Sequence, residues 1–241
     1  MESSRRIKMM NDLQNMEQER SVLRWGGLAG MLGVILFILV WVVVGIFIPA
    51  DPADLAEWVT RFPDIQAKRV IENGIYLIAL ILEIPLFLAL YWALRKTSLA
   101  PALFGSVLGI VGLVVMVVSS TPHVAHAPLS DLYHAPGATA ADQATIALMW
   151  QSIWGIFESM LYVGFFVVPI ALILLGVGMF KSPTFGKSFG SLSIVLGVLG
   201  LTAAVLQMID PTSMIGAGSY FASLIFYLVI GWKVFSLSRA A

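Results

Sequence analysis

Long apolar runs alternate along the chain with short polar segments. A helix needs about twenty mostly apolar residues to cross the hydrocarbon of a bilayer, and the alternating pattern of a membrane barrel is absent. Because unpaired backbone groups are not tolerated in lipid, the runs are predicted to be helices. The sequence therefore predicts an all-α, polytopic membrane bundle of six transmembrane helices, over residues 25–48, 70–94, 100–120, 147–178, 189–209 and 217–235.

The polar segment before the first run also has a helical pattern. Four apolar side chains recur at helical spacing among mixed charges: Met9, Leu13, Met16 and Leu23. This pattern is typical of an amphipathic helix, which either anchors at the membrane surface or binds a partner. We therefore expect a cytoplasmic amphipathic segment over residues 1–24, followed by the six-helix membrane domain over residues 25–241.

Two further helix starts are predicted on the opposite side of the membrane. Asp51 and Pro52 are a favourable N-cap and first-turn pair, and the first outer loop is predicted to form a helix lying on the outer surface. Its apolar face is formed by Leu55, Trp58, Val59 and Phe62. The fourth run is too long for a perpendicular crossing, so its helix is predicted to begin near Thr139, which forms a capping-box pair with Asp142.

The basic residues predict which side of the membrane faces the cytoplasm. Of the 14 lysines and arginines, only Arg61, Lys68 and Arg69 lie in segments that are outside if the amino terminus is inside. Basic residues concentrate in cytoplasmic loops, so this bias predicts that both termini are cytoplasmic. The expected location is the cell (cytoplasmic) membrane.

The second and fourth predicted spans share a short pattern. Glu72 and Tyr76 stand four residues apart, as do Glu158 and Tyr162, and Phe-Gly-Ser follows beyond both cytoplasmic turns, from Phe104 and from Phe189. Both hairpins would run in the same direction, which predicts a parallel repeat of helices 2–3 and 4–5. Chance similarity between apolar helices explains the pattern equally well.

These four residues are also candidate site residues. Glu72 and Glu158 precede the basic residues of the inner boundary by the same number of positions, which places both near the outer interface. With Tyr76 and Tyr162, one turn below them, they would line an outward-facing ligand pocket. The alternative is that the glutamates are separate helix-start residues and the tyrosines belong to the aromatic belt.

Glu83 is predicted to lie near the bilayer midplane, about 18 Å above Arg95. Charges at that depth are costly and usually face a bundle interior or a water-filled path. No Lys, Arg or His stands at this depth in any predicted span, so we expect the carboxyl to be protonated. Two interpretations stay open: a proton or cation site, or a protonated side chain that joins helices through hydrogen bonds.

All three histidines of the chain lie in the outer loop between the third and fourth predicted spans. Imidazole and carboxylate groups are suitable zinc or copper ligands, so His123, His126 and His134, with Asp131, form a candidate metal site. Their spacing matches no metal-binding motif. The alternative, that they are ordinary polar loop residues, is the primary expectation, and it implies no cofactor.

The composition narrows the classes of function. With 59% hydrophobic and 12% charged residues, the chain carries about half the charge typical of a soluble domain, which indicates the lipid bilayer as its main partner. The net charge of zero gives no basis for binding nucleic acid. The absence of cysteine excludes disulfides, thiolate metal sites and cysteine nucleophiles.

The string Arg24-Trp-Gly-Gly-Leu-Ala-Gly opens the first predicted span, and the second span ends on Leu94-Arg95-Lys96. With the glutamate of the second span, these residues resemble an uncharacterised bacterial multi-pass membrane family, domain of unknown function 4386. The resemblance implies a prokaryotic cytoplasmic membrane protein of similar length. It implies no catalytic residues.

Three functions are consistent with these features. The primary expectation is a non-enzymatic membrane protein that binds or senses a small ligand or ion at an outward-facing site in the helix bundle. The first alternative is a small secondary or proton-coupled transporter acting through Glu83, for which six spans favour a homo-oligomer. The second alternative is an outer-face metalloenzyme using His123, His126 and His134.

Overall fold

The structure, a computed structural model, describes residues 2–49, 52, 54–210, 215 and 217–240. These residues are almost entirely helical, and none of them forms a strand, which confirms the all-α prediction. The helices are α1 (Glu2–Phe47), α2 (Leu55–Leu94), α3 (Leu99–Ser119), α4 (Thr121–Tyr133), α5 (Ala140–Lys181), α6 (Gly186–Ile209) and α7 (Ala217–Ala240).

Six helical segments in the described part of the chain are long and apolar enough to cross a membrane. They lie in α1, in α2, in α3 together with α4, in α5, in α6 and in α7. The structure thus confirms the prediction of a multi-pass bundle with six helices of spanning length. The cytoplasmic location of the termini and the parallel repeat stay predictions.

The spanning helices pack in a closed ring, in the order α1, α2, α3, α5, α6, α7 and back to α1. Helices α2, α5 and α7 also contact one another across the ring, and they fill its centre. The fully buried side chains there are large and apolar, among them Phe87, Leu172 and Phe226. These side chains close the centre of the bundle on the side of Arg95.

One polar contact in the bundle compensates for a proline. Pro169 lies inside α5 and has no N–H to donate to the carbonyl of Phe165, four residues before it. The buried hydroxyl of Ser219 on α7 donates to this carbonyl at 3.3 Å. The freed acceptor is thereby satisfied inside the membrane, where an unpaired carbonyl would be costly.

From Glu2 onward, the segment predicted to be amphipathic, residues 1–24, is part of the long helix α1. With 46 residues, α1 is about 69 Å long, which is more than twice the hydrocarbon thickness of about 30 Å. Met16 is exposed and Leu23 is half-buried. The side chains of Met9 and Leu13 lie outside the part of the chain that the structure describes.

The extension of α1 is tied to the turn between α2 and α3. The Glu19 carboxylate lies 3.0 Å from Lys96 Nζ and 3.1 Å from Arg95 Nη2. The hydrogen bond and charge of Lys96, followed by those of Arg95, hold the pKa of Glu19 below its usual range. This contact fixes the direction in which α1 leaves the bundle.

Helices α2 and α5 extend beyond the bundle at the opposite end. Their 40 and 42 residues span about 60 Å each, so roughly half of each helix lies outside a hydrocarbon layer of about 30 Å. Counted from Leu94 and Lys181, the layer ends roughly 20 residues along each helix. The extensions pack with α4. Together they form a unit that we call the helical cap, which consists of residues 55–69 of α2, 121–133 of α4 and 140–160 of α5.

The first outer loop is not a separate helix on the membrane surface, and that prediction is wrong. Asp51 of the predicted start lies outside the described residues. Helix α2 begins at Leu55, and the N-cap carboxylate of Asp54 accepts a hydrogen bond from the Ala56 N–H at 3.0 Å. From there α2 continues without a break into the bundle.

Three side chains of the predicted apolar face, Trp58, Val59 and Phe62, pack on protein rather than on lipid, and the side chain of Leu55 lies outside the described structure. Val59 and Phe62 are buried in a second core within the cap, separate from the bundle core. The other members of this core come from α4 and α5: Leu129, Ile146, Ala147 and Trp150. The surface-helix prediction failed because an apolar face looks the same in sequence whether lipid or another helix covers it.

The segment between the third and fourth spans was predicted to be a loop, and it is largely the helix α4. The predicted start of the next helix is confirmed, because Thr139 is the N-cap of α5. Its hydroxyl accepts from the Asp142 N–H at 3.2 Å, and the Asp142 carboxylate accepts from the Thr139 N–H at 3.0 Å. The side-chain and backbone hydrogen bonds from Thr139 hold the pKa of Asp142 below its usual range.

Candidate functional site

The helical cap and the adjoining end of the bundle border a partly open cavity of about 350 Å³, which we call the cap chamber. Most of its lining is aromatic or aliphatic, with a few polar groups, which is the usual form of a small-molecule site. The lining residues are Trp58, Arg61, Phe62, Ile65, Arg69, Val70, Asn73, Gly74, Leu77, His123, Val124, His126, Ala127, Trp150 and Trp154.

His126 and Trp150 form the most buried polar part of the cap chamber. Their rings stack with centroids 4.0 Å apart and planes inclined by 16°, and each side chain is only 3% exposed. Among the residues that the structure describes, His126 Nε2 and Trp150 Nε1 have no hydrogen-bond partner. An unpaired buried polar group costs about 1–3 kcal/mol, so a ligand with complementary groups would be stabilised here.

His123 stands one turn before His126 and continues the aromatic wall, with its ring centroid 4.5 Å from that of Phe157. Burial, with a smaller effect of the Arg69 charge, lowers the pKa of His123 to about 4. Burial, followed by the effects of His123 and Arg69, lowers the pKa of His126 to about 3. Both rings are therefore neutral near pH 7, and each carries one N–H donor and one acceptor nitrogen.

Two arginines give the cap chamber its charge. Arg61 and Arg69 stand about two turns apart on α2, and both line the chamber. Arg69 Nη1 is 3.1 Å from Glu72 Oε2, but Glu72 faces the neighbouring cavity. Among the described residues, no carboxylate lines the cap chamber itself. The charged groups in the chamber wall are therefore two guanidinium groups, and that of Arg69 is also paired with Glu72.

A second cavity, of about 190 Å³, adjoins the cap chamber on the side of the bundle, and we call it the bundle chamber. Arg69, Asn73 and His123 line both cavities and form the partition between them. The remaining lining residues are Phe37, Val40, Trp41, Val44, Glu72, Tyr76, Phe157 and Tyr220. Two of the predicted site residues, Glu72 and Tyr76, thus face one cavity together.

Glu83 lines a third and much smaller cavity, of about 20 Å³, which we call the Glu83 cavity. Its side chain is 2% exposed, and its Oε1 has no hydrogen-bond partner within the described part of the chain. The hydroxyl-bearing residues Tyr220, Ser223 and Tyr227 line the same cavity. Phe37 and Tyr220 also line the bundle chamber, so the three cavities follow one another from the cap to Glu83.

The second predicted glutamate–tyrosine pair does not join this series. Glu158 and Tyr162 are half-buried on α5 and line none of the three cavities. Tyr162 instead lies against Gln207 of α6. The shared pocket of Glu72 and Glu158 therefore stays a prediction.

The predicted metal ligands are divided between two places. His123 and His126 line the cap chamber, whereas His134 and Asp131 are exposed near the other end of α4. His134 Nδ1 lies 2.8 Å from the carbonyl oxygen of Ser130. Within the described ranges, no group of three or more His, Asp or Glu residues could hold a metal ion.

Sequence reasoning missed the tryptophans of the chamber and Tyr220. Trp150 and Trp154 stand one turn apart in the fourth run, and the excess length of that run was the signal that this part leaves the membrane. Tyr220 has no glutamate four residues before it, which was the pattern that singled out Tyr76, and its hydroxyl within an apolar span was the remaining signal. Arg69 was used only as a sign of orientation.

Comparison with known proteins supplies no relative. No protein-family model matches the chain, and no curated protein or solved structure matches it. The resemblance to the bacterial family of unknown function stays a prediction. The proposed function is therefore based on the geometry of the three cavities.

Proposed function

We propose that this membrane protein binds a small organic anion with an apolar body in the cap chamber, on the outer side of the cell membrane. The observation that carries the proposal is the buried pair of His126 and Trp150, which line a cavity of about 350 Å³ and have nitrogen atoms without partners in the described structure. The assignment to the outer side rests on the distribution of basic residues.

The charge of the ligand follows from the donors in the wall. Arg61 and Arg69 supply cationic N–H groups, and Trp150 supplies a neutral one. A carboxylate or phosphate accepts hydrogen bonds from both kinds of donor. A cationic ligand would meet two like charges, and the neutral histidines offer it no ionic partner.

The body of the ligand follows from the rest of the lining. Trp58, Phe62 and Trp154 present ring faces and edges on the cap side, while Val70 and Leu77 extend the apolar wall toward the membrane. The volume lies at the lower end of the range for small-molecule sites. A compact ring-bearing acid suits this combination of size, aromatic walls and cationic donors.

Two probes that differ mainly in charge test the proposal. Indole-3-acetate and tryptamine share the indole ring but carry opposite charges at neutral pH. Binding of each is measured by calorimetry on the purified protein in nanodiscs of zwitterionic lipid, with inorganic phosphate as a ringless anion. We expect indole-3-acetate to bind at least roughly tenfold more tightly than the other two, a difference of about 1.4 kcal/mol or more.

Substitutions locate the binding site. Arg69→Gln removes one cationic donor and is expected to weaken indole-3-acetate binding by roughly tenfold or more, since a hydrogen bond to a charged group contributes about 1.5–3 kcal/mol. Lys68→Gln makes the same charge change on an exposed neighbour and should leave the affinity unchanged. Equal binding of the two indole probes, or an equal loss in both variants, would contradict the proposal.

A further inference from the structure

Glu83 takes no part in anion binding in the cap chamber, and its surroundings indicate a separate role. We propose that Glu83 is a proton-binding site that is reached only from the side of the cap, through Tyr220 and the bundle chamber. The proposal rests on the cavity around Glu83, on the hydroxyl groups that lead away from it, and on the apolar packing below it.

The Glu83 cavity has room for one water molecule and little more. Its volume is about 20 Å³, and a water molecule needs about 10–15 Å³ by the same measure. Tyr220, Ser223 and Tyr227 line the cavity with Glu83, so a water there would have the several polar partners that buried water requires. A single water can therefore join the Glu83 carboxyl to a neighbouring hydroxyl.

Tyr220 connects this cavity with the bundle chamber, because it lines both. Its hydroxyl lies next to the Tyr76 hydroxyl, which completes no hydrogen bond among the described residues. A phenolic hydroxyl both donates and accepts. Together with a water in the Glu83 cavity, these two hydroxyl groups supply the route by which a proton passes between the bundle chamber and Glu83.

The opposite direction is closed by apolar side chains. Between Glu83 and the Arg95 end of α2, the centre of the bundle is filled by fully buried residues: Phe87, Leu90, Leu94, Leu175, Met179 and Ile230. None of these side chains can continue a hydrogen-bonded chain. In this structure, polar groups therefore connect Glu83 only to the cap side of the membrane.

The neighbours of Glu83 favour a proton over a larger cation. The titratable groups that face it are Tyr76 on its own helix and Tyr220 and Tyr227 on α7, and the nearest carboxylate on α2 is Glu72, three turns away at the bundle chamber. Helices α1, α3 and α5 contribute only apolar side chains to the cavity. A space for one water cannot hold a hydrated cation, whereas a proton needs no space.

The close approach of α1 helps to keep the cavity small. A Cβ atom added at Gly33 would lie 2.9 Å from Glu83 Cγ and 2.9 Å from the Ala79 carbonyl oxygen. Only a glycine lets the α1 backbone pack this closely against Glu83. The carboxyl is thereby shielded from lipid, and its exchange with solvent is left to the hydroxyl route.

Infrared difference spectroscopy of the full-length protein in nanodiscs tests the proposal. The C=O band of a protonated carboxyl shifts when deuterium replaces hydrogen, so transfer into D₂O reports how fast Glu83 exchanges its proton. We expect a protonated-carboxyl band at neutral pH that Glu83→Gln removes and Glu158→Gln retains. Exchange should slow by roughly tenfold or more in Tyr220→Phe, which lacks the hydroxyl, and should be unchanged in Tyr162→Phe.

A second measurement tests access from one side. In proteoliposomes with a pH gradient and a trapped pH dye, we expect wild-type protein to conduct no more protons than Glu83→Gln. Proton flux that Glu83→Gln abolishes would overturn one-sided access, and an ionised Glu83 at neutral pH would overturn the proton site. Equally fast exchange in Tyr220→Phe would overturn the route. If Glu83→Gln does not accumulate in the membrane, Glu83→Asp replaces it. A change in the frequency of the protonated-carboxyl band in Glu83→Asp then assigns that band to residue 83.

Discussion

Ser219 and Trp150 are both buried, but of their polar groups only the Ser219 hydroxyl has a hydrogen-bond partner among the described residues. The Ser219 hydroxyl donates to the Phe165 carbonyl that Pro169 leaves free, so it completes the fold. Trp150 and His126 line the cap chamber, and the Trp150 N–H and His126 Nε2 have no hydrogen-bond partner among the described residues. The first contact stabilises the fold, whereas the second pair is the part of the chamber to which we assign the proposed ligand.

The stability of the helical cap should depend on pH through His126 and His123. An unfolded histidine titrates near pH 6.5, but burial lowers the pKa of His126 to about 3 and that of His123 to about 4. In the unfolded cap the two histidines therefore bind protons at a pH at which they stay neutral in the folded cap. The free energy of unfolding decreases for this reason as the pH falls from about 6.5 toward 4. The loss is at most about 1.4 kcal/mol per pH unit for each ring.

Thermal unfolding of the protein in nanodiscs between pH 7.5 and pH 4.5, followed by tryptophan fluorescence, checks this dependence. His126→Gln should reduce the pH dependence, because an amide side chain does not titrate. His134→Gln is the matched control on the exposed end of α4 and should keep the wild-type profile. A cap whose unfolding is independent of pH would show that these histidines are not buried.

Ser219→Ala is expected to destabilise the bundle by about 1 kcal/mol, because it leaves the Phe165 carbonyl without a donor. Ser236→Ala is the control, since the Ser236 hydroxyl is exposed and bonds only within its own helix, to the Trp232 carbonyl at 2.8 Å. Unfolding in mild detergent compares the two variants. A larger loss for Ser236→Ala than for Ser219→Ala would contradict the assigned role of the interhelical bond.

At the scale of helices, α2 and α5 each contribute to both the bundle and the helical cap. One half of each helix packs in the bundle, and the other half builds the cap with α4. The cap core, which includes Val59 and Phe62, is separate from the bundle core. A change in the cap core should therefore loosen the cap while the bundle stays packed.

Phe62→Ala tests this division. Phe62 is 6% exposed and its ring centroid lies 5.0 Å from that of Trp150, so its removal should cost about 3 kcal/mol of cap stability. Amide hydrogen exchange should then accelerate in α4 but not in α6 or α7. Phe47→Ala removes an exposed ring and should change neither region. Faster exchange throughout the bundle would show that the cap is not a separate unit.

At the scale of the whole molecule, the number of spanning helices and the Thr139 cap could be predicted because both depend on local pattern. The partner of an apolar face is not local, so the packing of Phe62 on α4 and α5 was missed. Equal depth also does not determine the direction in which a residue points around the ring. Glu72 lines the bundle chamber, whereas Glu158 lines none of the three described cavities, so the pocket predicted for the two glutamates stays a prediction.

The proposed function requires that the cap chamber lies on the outer side of the cell membrane and binds a small organic anion. The chain has no cysteine, so single cysteines can be placed at Ala127, which lines the chamber, and at Leu132, which is 58% exposed on the same helix. The decisive measurement is the rate at which a membrane-impermeant thiol reagent labels Ala127→Cys and Leu132→Cys in intact cells, with and without indole-3-acetate. We expect both to be labelled and the ligand to slow only Ala127→Cys; labelling that requires lysis of the cells, or that the ligand leaves unchanged at Ala127→Cys, would contradict the claim.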